Sequence, residues 1–281
     1  MKQILVPTDF SSCANNALGF AVQSAIILPA EIILLHAFEL KGNIYTDYLG
    51  VAREFSQTFL HEVENKLAEI KLRIEKTEGI IVDTYVFTGT VKESILQVSA
   101  EKNIDFIVMG ASGAGVLKEK LWGSKTAAII GNSKVPVMVI PYEYEWKKPE
   151  KILLATHHFE EEPAVLDFLF ELADLYMAQV HVSVFTDEDD DNAETFIGNT
   201  IKFPHYEKML KEQYKEETLT ATNLFGKEFE ETLQDYIRQN EIDILTMVTY
   251  QRKFLDRIFH PSMTKRMSYH TKIPLLAIPA K

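Results

Sequence analysis

Glycines spaced around a polar loop are the residues of this chain best suited to chemistry. The loop contains Gly110, Gly113 and the pair Gly123-Ser124. It follows an apolar run, residues 104–109, and precedes a short helical stretch. Because glycine lacks a Cβ, backbone N–H groups there can approach a ligand that other residues would keep away. The free N–H groups at the start of the helix favour phosphate. The loop therefore predicts a cradle for the phosphates of a nucleotide.

The same framework occurs twice along the chain. Three pairs of segments match, and the last two pairs are displaced by the same number of positions. The matching segments are 4–10 with 152–159, 103–109 with 241–247, and 134–141 with 272–279. A single displacement over such a length indicates a tandem duplication. We therefore expect two domains, at residues 1–143 and 150–281, joined by a short linker of polar and aromatic residues.

Short β-branched apolar runs alternate with longer amphipathic runs in each copy, which is typical of βαβ units. The strands are expected at 3–7, 31–37, 80–87, 105–110 and 137–140, and in the second copy at 151–155, 179–185, 219–223, 243–249 and 275–278. Helices are expected in the first copy near 12–27, 48–76, 91–102 and 124–131. The strands are continuously apolar, so both faces of each sheet should be covered. The predicted fold class is α/β, with two tandem doubly wound domains, each a Rossmann-like five-stranded parallel sheet with helices on both faces.

Ligands of such sheets bind at the carboxyl ends of the strands, where the strand order reverses. This rule places the residues after the first and fourth strands side by side. Asp9 follows the first strand, and the glycine loop follows the fourth. Two features that are distant in sequence are therefore expected to share one crevice.

Three motifs together resemble the universal stress protein family, and specifically its ATP-binding branch in a tandem-domain form. They are Pro7-Thr8-Asp9, Leu35-His36-Ala37 and the glycine loop ending at Ser124. The resemblance implies that the carboxylate of Asp9 and the backbone of Ala37 contact adenine, and that the glycine loop holds the ribose and phosphates. The implied binding residues are Pro7, Thr8, Asp9, Ala37, Gly110, Gly113, Gly123, Ser124, Lys125 and Thr126. The implied cofactor is ATP, alone or with Mg²⁺.

The second copy lacks the residues that would make this site. Val248, Gln251 and Pro261 stand where the first copy has its glycines, and His157 stands in place of Asp9. Added Cβ atoms would crowd the phosphate path, and proline has no N–H to donate. We therefore expect one ATP per chain, in the first copy, with the second copy as a structural or sensing partner.

Composition excludes several other partners. The 281 residues carry a net charge of −12. This charge argues against nucleic acid and anionic membranes as partners, since both bind basic surfaces preferentially. A single cysteine indicates a reducing compartment. Met1 leads straight into an apolar strand, and no apolar run approaches the ~18 residues of a membrane span. A cytoplasmic protein is expected.

The resemblance implies a nucleotide-dependent regulator or sensor in the stress response. A regulator is favoured over an enzyme, since no committed catalytic set or metal-ligating cluster accompanies the loop. The alternative is a slow ATPase or an adenylyl-transferring enzyme of the same fold superfamily. A phospho-receiver module is disfavoured because Phe87-Thr88-Gly89, and not an aspartate, follows the third strand. The final strands of the two copies are expected to pair, which would make the chain an intrachain pseudo-dimer. Association of two chains into a homodimer and binding of an unknown protein partner remain open alternatives.

Overall fold

The computed structural model describes residues 2–38, 51–112, 124–187, 193–214, 218–249 and 272–280. The chain divides into two compact units, Met1–Trp146 and Lys147–Lys281. Each unit contains one parallel sheet of five strands. Among the described residues, no helix combines the length and the apolar character needed to cross a membrane.

The first unit has the strand order β3-β2-β1-β4-β5. Its strands are β1 (Lys2–Pro7), β2 (Ala30–Phe38), β3 (Val82–Thr88), β4 (Phe106–Gly110) and β5 (Val137–Ile140). Its described helices are α1 (Ser12–Ile27), α2 (Val51–Glu78), α3 (Val91–Glu101) and α4 (Ser124–Ile130). The order reverses between β1 and β4, which are neighbours, so the ends of these strands lie side by side.

The second unit repeats this order as β8-β7-β6-β9-β10. Its strands are β6 (Lys151–Thr156), β7 (Gln179–Asp187), β8 (Leu219–Gly226), β9 (Ile244–Thr249) and β10 (Leu275–Pro279). Its described helices are α5 (Pro163–Tyr176), α6 (Ala193–Gln213) and α7 (Phe229–Asn240). Both units have the predicted doubly wound topology, so the expected fold class is confirmed.

The core of each unit lies along its central strands. Ile4, Leu5 and Val6 of β1 are fully buried, as are Ile152, Leu153 and Leu154 of β6. Strands buried on both faces require continuous apolar runs, which is the pattern that predicted them. Helix α1 begins where the hydroxyl of Ser11 accepts a hydrogen bond from the N–H of Ala14, an N-cap that fixes its position beside the end of β1.

Candidate functional site

A cavity of about 360 Å³ opens at the carboxyl ends of β1 and β4 in the first unit. Its volume lies in the range typical of small-molecule sites, roughly 300–1,000 Å³. The lining residues come from β1 and the turn after it, the ends of β2 and β4, and the first turns of α1, α3 and α4. They are Pro7, Thr8, Asp9, Ala14, Leu35, Ala37, Val91, Ile95, Met109, Gly110, Ser112, Ser124, Lys125 and Thr126.

Eight of the ten residues predicted from the sequence line this one cavity. The other two, Gly113 and Gly123, lie outside the described residues. Sequence reasoning missed the apolar walls, in particular Val91, Ile95 and Met109. Val91 and Ile95 are one helical turn apart at the start of α3, so the helix period marks them as one face. They carry no polar group that would have singled them out.

The turn after β1 presents Asp9 to the cavity. The hydroxyl of Thr8 accepts a hydrogen bond from the N–H of Phe10 at 3.0 Å, and the carboxylate of Asp9 accepts one from the N–H of Ser11 at 3.0 Å. Two side chains thus close the turn locally. A carboxylate offers about four lone-pair positions, so this bond leaves Asp9 able to accept another from a ligand.

Gly110 is required for a reason that the sequence did not suggest. A Cβ built on Gly110 would lie 2.7 Å from the Sγ of Cys13 and 3.0 Å from its backbone carbonyl carbon and oxygen. The end of β4 therefore lies directly against the first turn of α1. Beyond any contact with a ligand, this glycine allows strand and helix to approach closely enough to form the cavity wall.

The side chain of Thr126 joins α4 to the end of β4. Its hydroxyl lies 3.2 Å from the carbonyl oxygen of Gly110 and 3.1 Å from that of Ala111, so it donates to one or shares its proton between them. Thr126 is only 2% exposed. Ser124 and Lys125, which precede it, are exposed. This anchoring fixes the start of α4 beside Gly110.

Three positions that line the cavity of the first unit have larger side chains in the second unit. The strand register makes Phe185 the counterpart of Ala37, and the repeat makes Phe229 the counterpart of Val91 and His157 that of Asp9. The rings of these three residues pack together, with centroid separations of 5.5 Å for His157–Phe185, 4.4 Å for His157–Phe229 and 5.2 Å for Phe185–Phe229. Three lining positions of the first unit have therefore become an aromatic cluster in the second.

Histidine 36 lies behind the turn that carries Asp9. Burial lowers its pKa, and the nearby charge of Lys66 acts in the same direction, while the hydrogen bond to the carbonyl of Thr8 and the carboxylate of Asp9 oppose the shift. The net lowering of the pKa keeps the imidazole neutral near neutral pH.

Across the described part of the chain, no three His, Cys, Asp or Glu side chains gather closely enough to hold a metal ion.

The lowered pKa of His36 predicts a loss of stability in acid. Below its ordinary pKa of about 6.5, the imidazole is protonated in the unfolded chain but not in the folded one. The unfolded state then binds more protons, so the free energy of unfolding decreases as the pH falls from about 6.5 towards the folded-state pKa. We expect urea unfolding followed by tryptophan fluorescence to show this decrease, and His36→Asn to reduce it. An equal pH dependence in both proteins would contradict the assignment.

Comparison with known proteins identifies the family. The sequence profile described as "Universal stress protein family" matches residues 1–141. The chain belongs to this family. A universal stress protein of Methanocaldococcus jannaschii is 33% identical over 153 residues, which cover 50% of this chain and 94% of the relative. Another from Synechocystis is 31% identical over 140 residues, covering 50% of this chain and 85% of the relative. The family expected from the three motifs is thereby confirmed.

A solved structure extends the likeness of fold to the whole chain. A universal stress protein from Archaeoglobus fulgidus superposes with a TM-score of 0.73 and 18% identity, covering 99% of this chain and 98% of that one. At this identity the likeness concerns the fold alone. It agrees with the repeated strand order and supports the tandem form for the full length of the chain.

Proposed function

We propose that the protein is a nucleotide-dependent regulator or sensor of the stress response that binds one ATP per chain, in the first unit. The observation that carries the proposal is the cavity at the ends of β1 and β4, lined by Asp9, Gly110 and Ser124 among others. The aromatic cluster in the second unit supports binding at one site only, because it places larger side chains at three positions that line the cavity in the first unit.

The chemistry of the lining residues fits an adenine nucleotide. Val91, Ile95 and Met109 supply apolar surface for a planar base. The carboxylate of Asp9 is an acceptor suited to an exocyclic amine. The hydroxyl of Ser124 and the ammonium group of Lys125 are groups that bind phosphate oxygens. Mg²⁺ would accompany the phosphates as part of the nucleotide complex.

Calorimetric titration of the full chain with ATP tests the proposal. We expect one ATP per chain, and Asp9→Ala should weaken binding by about 10- to 100-fold, the value of one hydrogen bond to a charged group. His157→Ala is the matched control, because it changes the counterpart of Asp9 in the second unit and should leave the affinity unaltered. The proposal fails if the wild-type chain binds no ATP.

Two further measurements on the same samples test the identity of the ligand and the fate of ATP. Mass spectrometry of the small molecules released from the purified protein identifies any nucleotide that it already carries. Phosphate release during the titration distinguishes a binding protein from the alternative, a slow ATPase. A stoichiometry of two would contradict the assignment of the site to the first unit alone.

A further inference from the structure

His36 contacts the residues on both sides of Asp9. Its Nδ1 lies 2.8 Å from the carbonyl oxygen of Thr8, and its ring stacks on that of Phe10, with centroids 4.8 Å apart and planes inclined by 18°. The imidazole is only 7% exposed and is not among the groups that line the cavity. It therefore contacts the turn from outside the cavity, through Thr8 and Phe10, the two neighbours of Asp9.

The hydrogen bond fixes the tautomer of His36. A carbonyl oxygen can only accept, so Nδ1 carries the proton. Two charged groups face the imidazole, the carboxylate of Asp9 from the turn and the ammonium group of Lys66 from α2. Burial and Lys66 lower the pKa of the ring, so the donor is the neutral imidazole at neutral pH.

The turn itself is under strain. Phe10 has a backbone φ of 60°, in the left-handed region that residues with a Cβ rarely adopt. The stacking of His36 on its ring opposes the relaxation of this conformation. Asp9 lies between the held carbonyl and the held ring, so these two contacts constrain its backbone, while the hydrogen bond from the N–H of Ser11 holds its carboxylate.

The second unit provides an internal comparison. There the hydroxyl of Thr156 accepts from the N–H of His158 at 3.2 Å, as Thr8 accepts from Phe10. The strand register places Val184 at the position of His36. His158 has no left-handed φ. The local hydrogen bond of the turn therefore forms without an imidazole at the position of His36, whereas the left-handed form occurs in the unit that has His36, Asp9 and the cavity.

We propose that His36 is a positioning residue that selects the adenine base by holding the turn Thr8–Phe10 and thereby orienting the carboxylate of Asp9. This inference rests on the proposed function and extends it to base selection. The 6-amino group of adenine donates to a carboxylate, whereas the 6-oxo group of hypoxanthine can only accept. The orientation of Asp9 should therefore determine the preference for ATP over ITP.

Titration calorimetry of the full chain with ATP and with ITP tests the inference. We expect the wild type to prefer ATP by at least about tenfold, since one hydrogen bond to a charged group is at stake. His36→Val, which introduces the residue of the second unit, should weaken ATP binding about tenfold and change ITP binding by less than about threefold. His36→Asn can place an amide donor near the position of Nδ1 and should restore most of the preference.

His36→Gln is the matched partner of His36→Asn, because its amide can reach only the position of Nε2. It should lose the preference as His36→Val does, and the Asn–Gln pair keeps the test valid if the valine variant fails to fold. The inference is overturned if folded His36→Val or His36→Gln retains the wild-type ATP-to-ITP ratio, or if both affinities fall together. Absence of ATP binding in the wild type would instead refute the proposed function.

Discussion

Gly110→Val should lower the free energy of unfolding of the first unit by about 3 kcal/mol, the upper part of the usual range for overpacking. The new Cβ would meet the Sγ of Cys13 at 2.7 Å and the backbone carbonyl of Cys13 at 3.0 Å. A flexible side chain could move aside, but the backbone contact requires α1 to shift away from β4. That shift would also deform the cavity wall, so ATP binding should be lost in the same variant.

Gly19→Val is the matched control. A Cβ at Gly19 has no atom within 4 Å, and the residue is exposed on α1. Because valine forms helix slightly better than glycine, the change should stay within about 0.5 kcal/mol of the wild type. Both tryptophans, Trp122 and Trp146, belong to the first unit, so urea unfolding followed by tryptophan fluorescence reports on that unit. Equal midpoints for the two variants would refute the steric argument.

The second unit has valine at this position, and its first helix begins later. In the first unit β1 ends at Pro7 and α1 begins at Ser12, whereas β6 ends at Thr156 and α5 begins at Pro163. The counterparts of the first residues of α1 therefore precede α5, and Val248 is buried. The same substitution is thus a steric conflict in one unit and ordinary core packing in the other.

Asp243→Ala should destabilise the second unit by about 2–4 kcal/mol, since it removes a charged acceptor from two backbone hydrogen bonds. Asp243 is 4% exposed, and its Oδ2 accepts from the N–H of Glu150 at 2.8 Å and from that of Lys151 at 3.0 Å. The ammonium group of Lys147 forms an ion pair with the other oxygen. The carboxylate therefore fixes the segment that leads into β6, the central strand of the unit.

Asp105 provides the internal control for this prediction. It occupies the corresponding position in the first unit, but it is exposed, and its carboxylate accepts from the N–H of Gln3 at 2.7 Å. Asp105→Ala should cost about 1 kcal/mol, the value of an ordinary hydrogen bond. Hydrogen exchange of the β6 and β1 amides, followed by mass spectrometry, measures the two effects separately. Similar losses of protection in the two strands would show that burial does not decide the cost.

The sequence was sufficient to predict the fold because the strands are buried on both faces and read as apolar runs. Strand β4, predicted at 105–110, is observed at Phe106–Gly110, and β5 is observed as predicted. Strands β7 and β8 extend two and three residues beyond their predicted ends. The residues added to β7, Thr186 and Asp187, are polar, and those added to β8 follow the polar Asn223, so the apolar run is interrupted before the ladder of hydrogen bonds ends. The predicted start of α2 lies outside the described residues.

The candidate site was harder to predict from the sequence than the fold, for physical reasons. Asp9 and the glycine loop could be brought together because strand order places them at one crevice. The role of Gly110 depends on the approach of α1, which no local pattern records. The displacement between the copies changes between β2 and β4, so Val91 and Ala37 need different displacements to find their counterparts. The strand register shows that Ala37 keeps the displacement of β1, which identifies Phe185.

The aromatic cluster of His157, Phe185 and Phe229 has a consequence for thermodynamic linkage. Ligand binding adds RT ln(1 + [L]/Kd) to the stability of a folded state, about 2.7 kcal/mol when the ligand is at 100 times its Kd. With ATP bound as proposed, the stability of the first unit rises and falls with the nucleotide concentration. The second unit has aromatic side chains at the corresponding lining positions, so on the same proposal its stability would not depend on the nucleotide. One chain would then combine a unit whose stability responds to ATP with a unit whose stability does not.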